Sequence, residues 1–232
     1  MAANEPKVDS SNHSYDFIKY DYEKIDRKEM VERSTTFKSM IQKRRSIRDY
    51  SPETVSLEAV RNAIMTACSA PSGANKQPWN FCLVSDPSLK AKIRKSAEEE
   101  ERKSYEERMS EQWLSDLKPL GTDHNKPFLE EAPYLIVVFK KPYEIVDGKQ
   151  VPNYYVNESV GIAAGILIAA LQNAGLATLT HTPSPMNFLK ELLNRPDNER
   201  AYLLLPVGYP KKNAEVPSIK RKPMEEVMTE YF

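Results

Sequence analysis

The run Tyr134-Leu135-Ile136-Val137-Val138-Phe139 constrains this chain more than any other stretch. Successive side chains of a strand point to opposite faces, so a run apolar at both parities has no face to give to water. It predicts a central strand with apolar layers on both sides. Tyr202 to Val207 reads as a second core strand, and Asn80 to Ser85 and Ala177 to Thr182 as two more. The covering layers read as helices. Ser56 is a predicted N-cap, followed by an apolar face of Leu57, Val60, Ile64 and Ala67. Glu158 to Ala174 carries almost no charge and is rich in Ala, Gly and Ile, which predicts a helix buried over most of its circumference and ended by Gly175. Phe188 to Leu193 is a short helix stopped by Arg195-Pro196. With 232 residues, 40% of them hydrophobic, the chain is long enough for one α+β domain with a sizeable core.

The flanks read differently. Residues 1–36 open with a polar stretch and are expected to wrap the surface or to be partly disordered. Phe37, Met40 and Ile41 have helical spacing, and Asp49-Tyr50-Ser51-Pro52 stops that pattern. From Ser88 to about Leu117 the chain is highly charged, with four carboxylates in a row at Glu98 to Glu101. High helix propensity makes this a long exposed helix or a helix pair. Asp147-Gly148 marks a turn, and the tail from Lys211 is basic, proline-marked and expected to be extended. The longest apolar stretch, Val160 to Ala174, is interrupted and too short to span a bilayer, so a soluble protein is expected.

Composition removes several function classes. Lysine plus arginine equals aspartate plus glutamate at 33 each, so no net field draws nucleic acid or an anionic membrane. Basic clusters in such a chain suit a small anion. Cys68 and Cys82 lack metal-ligand spacing; they could pair, but two buried thiols in a reducing compartment are expected. Three histidines, at 13, 124 and 181, do not make a histidine-rich metal site. The seven glycines form neither G-x-G-x-x-G nor G-x-x-x-x-G-K, and no G-x-S-x-G or H-E-x-x-H occurs.

What stands out chemically is Arg44-Arg45-Ser46-Ile47-Arg48. Three guanidiniums within five residues need an anion among them, and the planar fork of arginine suits a phosphate. Alone, the run is a solvated basic face. The small-residue turn at Ser72-Gly73, Thr180-His181-Thr182 after a strand-like run, and Lys220-Arg221-Lys222 make a flavin-phosphate reading coherent.

The arginine run, the Pro71-Ser72-Gly73-Ala74 turn followed by Gln77-Pro78-Trp79, the Ala/Gly helix and Leu204-Leu205-Pro206-Val207-Gly208-Tyr209-Pro210 together resemble the nitroreductase flavoprotein superfamily over about residues 37–228. Within it, the likeness is to the branch that removes halogen from halotyrosines. The resemblance implies a mixed central sheet surrounded by helices, an intertwined homodimer, and an FMN-binding domain over 37–232 with an acidic helical lid around 88–127 and an extended arm from 211. It implies that Arg44, Arg45, Ser46, Ile47, Arg48 and Arg221 bind the phosphate and ribityl end of FMN. Pro71, Ser72 and Gly73 would approach the flavin ring across the dimer, and Thr180, His181 and Thr182 would line it. The Thr182 hydroxyl would serve flavin N5, and the Ala74 backbone the substrate phenolate; no acid–base role falls to His181. Glu101, Tyr105 and Lys126 would grip the zwitterion of the amino acid. Glu101 and Tyr105 project from one helical face, and an acid and a base are what an ammonium and a carboxylate need. Reducing equivalents would come from NADPH through a reductase partner. The alternatives are an NAD(P)H-dependent nitroreductase or quinone reductase with the same FMN residues, and a non-catalytic flavin- or ligand-binding protein.

Overall fold

A computed structural model describes residues 17–232. The first part of the expected surface segment, residues 1–16, lies outside the described residues. The chain divides into a unit ending at Lys38 and a second from Ser39 to Phe232. In the first, residues 17–26 have no regular structure, the Tyr20 and Tyr22 rings stack at 6.1 Å, and helix α1 (Arg27–Gln42) begins.

The second unit is built on a four-stranded sheet in the order β1 (Trp79–Val84), β2 (Tyr134–Lys140), β6 (Arg200–Gly208), β5 (Ala177–Thr178). Every ladder is antiparallel, and the parallel component is a single bridge, Ser46 to Thr178. As its apolar run predicts, β2 lies inside the sheet with Leu135 to Phe139 fully buried. Its two parities serve two cores. Ile136 and Val138 pack with Leu203 and Leu205 against α2 (Leu57–Ala67) and α6 (Val156–Asn173). Leu135, Val137 and Phe139 pack on the other face against α3 (Pro87–Lys103), α5 (Phe128–Glu131) and α7 (Asn187–Leu192). Each such side chain contributes about 1.5–3 kcal/mol through burial, so the layering is set by β2 more than by any helix propensity.

Local signals place the helix ends. Ser56 Oγ accepts from the Ala59 N–H at 3.3 Å, and Asp86 accepts from the Leu89 N–H at 2.7 Å. At the end of α6, Gly175 takes φ +77° and the Leu176 N–H donates to the Leu171 carbonyl, the bond that satisfies the last helical carbonyls. Asp147 and Gly148, both at positive φ, turn a hairpin of β3 (Tyr143–Val146) and β4 (Lys149–Pro152).

The charged stretch is a helix pair joined by an irregularity. α3 widens into a π-helical turn at Ser104–Arg108, and α4 (Glu111–Leu117) follows behind a Ser110 cap. The arm from 211 is largely without regular structure up to a 3-10 turn at Met224–Glu226. Cys68 and Cys82 are free but only half-buried, against the expectation of buried thiols, because each sits at the margin of a core cluster. Among the described residues no helix is long and apolar enough to cross a membrane, and no cluster of acidic, His or Cys side chains is arranged for a metal.

Candidate active site

After α1 the chain leaves helix and runs beside β5, held by the Ile47 N–H to the Thr178 carbonyl at 3.2 Å. That extension turns the arginines toward one concavity. Arg44, Arg45, Ser46 and Arg48 line a cavity of about 280 Å³ with Leu120, Pro217, Ile219 and Arg221. The arm closes it from the far side: Arg221 Nη2 donates to the Arg44 carbonyl at 3.0 Å, and Arg45 donates to the Pro217 carbonyl. Four guanidiniums and, among the described lining residues, no carboxylate make a cradle that a phosphate dianion fits through charge-assisted forks. Ile47 does not join this lining; its side chain packs with the core cluster below the sheet.

Arg48 is also a wall of a second cavity of about 290 Å³, so the two spaces adjoin. Its lining includes Glu101, Tyr105 and Lys126 together with Thr180, His181 and Thr182. Lys126 Nζ lies 3.3 Å from Glu101 Oε2, with the two side chains 5% and 12% exposed. It also donates to Thr122 Oγ1 at 3.4 Å and to the Asp123 carbonyl, and stands 5.8 Å above the Tyr105 ring. The Lys126 N–H donates to Glu98 Oε1 at 2.7 Å, which seats the loop on α3. Lys126, which the resemblance assigns to the substrate zwitterion, is therefore buried. Tyr105 donates its hydroxyl to the Thr122 carbonyl at 3.2 Å, and partial burial pushes its phenol up from the ordinary value. An acid, a base and a phenol thus face one cavity, the acid and the base largely buried at its wall.

Thr180, His181 and Thr182 are extended and alternate. Thr180 and Thr182 are exposed, whereas His181 is buried and meets the Phe128 ring edge-on at 5.6 Å. The His181 N–H donates to the Leu204 carbonyl at 2.9 Å, fixing the segment on β6. Burial, reinforced by the cations Lys126 and Arg48, drives the imidazole down to about 3, so it is neutral at physiological pH. Its Nε2 has no hydrogen-bond partner among the described residues.

The Pro71–Ala74 turn stands apart. Ser72 Oγ accepts from the Gln77 N–H at 2.9 Å, and Ala74, Asn75 and Gln77 all take positive φ, 49°, 54° and 47°. Three non-glycine residues in the left-handed region within four positions store strain of a kind often found at functional sites. Gly73 faces the start of α6 so closely that a Cβ would come within 2.9 Å of Tyr155 Cδ2 and 3.0 Å of the Tyr154 carbonyl oxygen. Pro71, Ser72, Gly73 and Ala74 line neither cavity of the single chain. The residues that sequence reasoning missed are Ser104, Arg108, Met109, Trp113, Leu117, Thr122 and Ser184. Most enter the cavity through the π-helical turn and the α4 helix behind it, and nothing in the local composition announces that turn.

A nitroreductase family model matches residues 41–209. The iodotyrosine deiodinase of Haliscomenobacter hydrossis is 55% identical over 216 residues, 93% of this chain and 97% of its own length. Iodotyrosine deiodinase 1 of Homo sapiens is 47% identical over 220 residues, 94% of this chain and 76% of its own. Among solved structures, oxidized iodotyrosine deiodinase bound to FMN and 3-iodo-L-tyrosine superimposes with a TM-score of 0.71 and 32% identity, covering 84% of this chain and 98% of that one.

Proposed function

The chain belongs to the nitroreductase family, within it to the iodotyrosine deiodinases, and on that premise we propose that it removes iodide reductively from iodotyrosines with FMN as cofactor. The observation that carries the reading is the Lys126–Glu101 pair at 3.3 Å in a cavity shared with Tyr105 and adjoining the arginine cradle. A free amino acid offers the two charges that this pair lacks when opened. Its ammonium takes Glu101, its carboxylate takes Lys126, and the Tyr105 hydroxyl stands between them.

Arg44, Arg45, Ser46, Arg48 and Arg221 hold the FMN phosphate; when bound, FMN supplies the reducing electrons. Thr180 and Thr182 are exposed in the lining of the cavity, and the Thr182 hydroxyl would donate to N5 of the bound flavin. The buried, neutral His181 takes no part in proton transfer and steadies this segment against Phe128. The Ala74 backbone donates to the substrate phenolate, an oxyanion-type contact. The Pro71–Ala74 turn lies outside both cavities of one chain, which is compatible with its serving the site of a second copy in a homodimer. Closing the lid over the substrate excludes water. NADPH, through a reductase partner, would supply the reducing equivalents.

Anaerobic turnover tests the reading. The FMN-loaded protein is reduced with dithionite and mixed with 3-iodotyrosine, and flavin absorbance is followed with released iodide. Reoxidation with one iodide per flavin is the expected result. A flavin that stays reduced with iodotyrosine yet reoxidises with a nitroaromatic would replace the reading with a nitroreductase.

A further inference from the structure

We propose that Arg108, assisted by Ser104, is a positioning residue that ties substrate capture in the lid to the placement of the Thr180–Thr182 segment; the proposal rests on the dehalogenase reading above. Two side chains of the π-helical turn converge on one acceptor outside the lid. Ser104 Oγ donates to the Ser184 carbonyl at 3.3 Å and Arg108 Nη1 to the same oxygen at 2.8 Å. Ser184 lies two residues beyond Thr182, and both line the cavity of Glu101, Tyr105 and Lys126.

The other end of the link is the acidic helix. Arg108 Nη1 lies 3.0 Å from Glu100 Oε2, and the single proton of the Ser104 hydroxyl is shared between the Glu100 carbonyl at 2.9 Å and the longer contact to Ser184. Partial desolvation works to raise the Glu100 carboxyl, but the bonds from Arg108 and Lys103 outweigh it and hold the group low and charged. Glu100 is the neighbour of Glu101, which meets the substrate ammonium. A path therefore runs from Glu101 along the backbone to Glu100, through the Arg108 contacts to the Ser184 carbonyl, and back along the chain to Thr182.

The π-helical geometry makes this reach possible. The Met109 N–H donates five residues back, to the Ser104 carbonyl at 2.9 Å, so the turn is wider than an α-turn. Such a turn is less regular than the helix it interrupts, and interruptions of this kind recur at functional sites. Arg108 is 43% exposed, so its ion pair adds little to the stability of the fold. A link made from exposed charge to a loop carbonyl transmits position better than it stabilises. When the zwitterion opens the Lys126–Glu101 pair and takes both charges, Arg108 carries the loop of Thr182 with the acidic helix.

Hydrogen–deuterium exchange on the FMN-loaded protein tests this, with flavin-fluorescence titrations of 3-iodotyrosine and 2-iodophenol beside it. In the wild type, iodotyrosine should slow exchange both in the lid, 98–126, and at the amides of Thr180, Thr182 and Ser184. In Arg108→Ala, lid protection should persist while protection at Thr180, Thr182 and Ser184 falls about tenfold. Iodotyrosine binding should weaken about three- to fivefold, the upper scale of one part-exposed charged contact. Binding of 2-iodophenol, which does not engage the lid charges, should change less than about twofold on the same scale. Arg108→Lys, which keeps charge but loses the fork, should fall between. Unchanged protection at Thr180, Thr182 and Ser184 in Arg108→Ala, or equal losses for the two ligands, would overturn the link. Wild-type protection confined to the lid would overturn it while leaving the dehalogenase reading intact. A wild-type protein that binds no iodotyrosine would overturn both.

Discussion

Replacing Glu101 by glutamine removes one charge from the lid and keeps its shape. The Lys126–Glu101 contact at 3.3 Å is worth about 5 kcal/mol of attraction at an effective dielectric of 20, before desolvation is counted. In the wild type, a zwitterion exchanges this one pair for two. In Glu101→Gln it finds Lys126 already released, but its ammonium meets only an amide oxygen. Losing a largely desolvated ion pair costs about 2–5 kcal/mol, and the released lysine returns part of that. The net is about 2 kcal/mol, or about 30-fold weaker binding of 3-iodotyrosine. The ligand 2-iodophenol has no ammonium and should bind within about twofold of its wild-type affinity. Titration of both ligands against flavin fluorescence reads the two numbers directly. Equal losses on both would refute the ammonium role. The free variant should also melt about 5 °C lower, since Lys126 keeps only Thr122 and Asp123 as acceptors.

Three further outcomes are expected. Thr182→Ala should lower dehalogenation relative to nitroaromatic reduction by about tenfold or more, as loss of a well-placed donor does; an unchanged ratio of the two activities would remove Thr182 from the chemistry. Glu199, 2% exposed, accepts from Arg195 at 2.7 and 3.0 Å and from Asn80 at 3.0 and 3.2 Å. Burial would raise this carboxyl, yet those bonds hold it below the usual range. Its stabilisation is thus present above the unfolded carboxylate value and is lost as pH falls through the folded one. Glu199→Gln should cost about 3 kcal/mol at pH 7, and urea midpoints should show its deficit against the wild type shrinking on acidification below about pH 4. A deficit that stays constant with pH would count against this. For His181 the folded value of about 3 lies below the unfolded one, so its neutral form supports the fold above about pH 6.5 and that support drains as pH falls toward 3, by about 1.4 kcal/mol per unit. His181→Gln should flatten the urea-midpoint profile between pH 7.5 and 5, and an identical slope in variant and wild type would exclude the imidazole as its source.

The strands were legible because burial at both parities has one structural meaning, and Leu135 to Phe139 kept it. The Ala177–Thr182 strand was half legible. It pairs with β6 at Thr178–Val207 and again at His181–Leu204 in one continuous register, with the pairing lapsing between them. Ser56 and Gly175 marked helix ends through local chemistry alone. The arginine cradle was visible in composition, though Ile47 turned inward while its neighbours faced the cavity. Lys126 was reached through the resemblance alone, and its burial was not legible, because it depends on Glu98 and Glu101, more than twenty residues earlier in the chain. Nor was the π-helical turn, a change of hydrogen-bond step rather than of residue type. It brings in Arg108 and Ser104, which no spacing rule had singled out.

Gly73 has a consequence for how such a chain can change over generations. A methyl group there would strike Tyr155 and the Tyr154 carbonyl, and the carbonyl is backbone that cannot be traded away. A larger residue at 73 is therefore closed to a lineage unless the first turn of α6 shifts beforehand. That helix start carries the core residues Ser159 and Val160, so the preparatory step is itself harmful. Position 73 and the tyrosine pair form one heritable unit, and drift at either alone leads downhill.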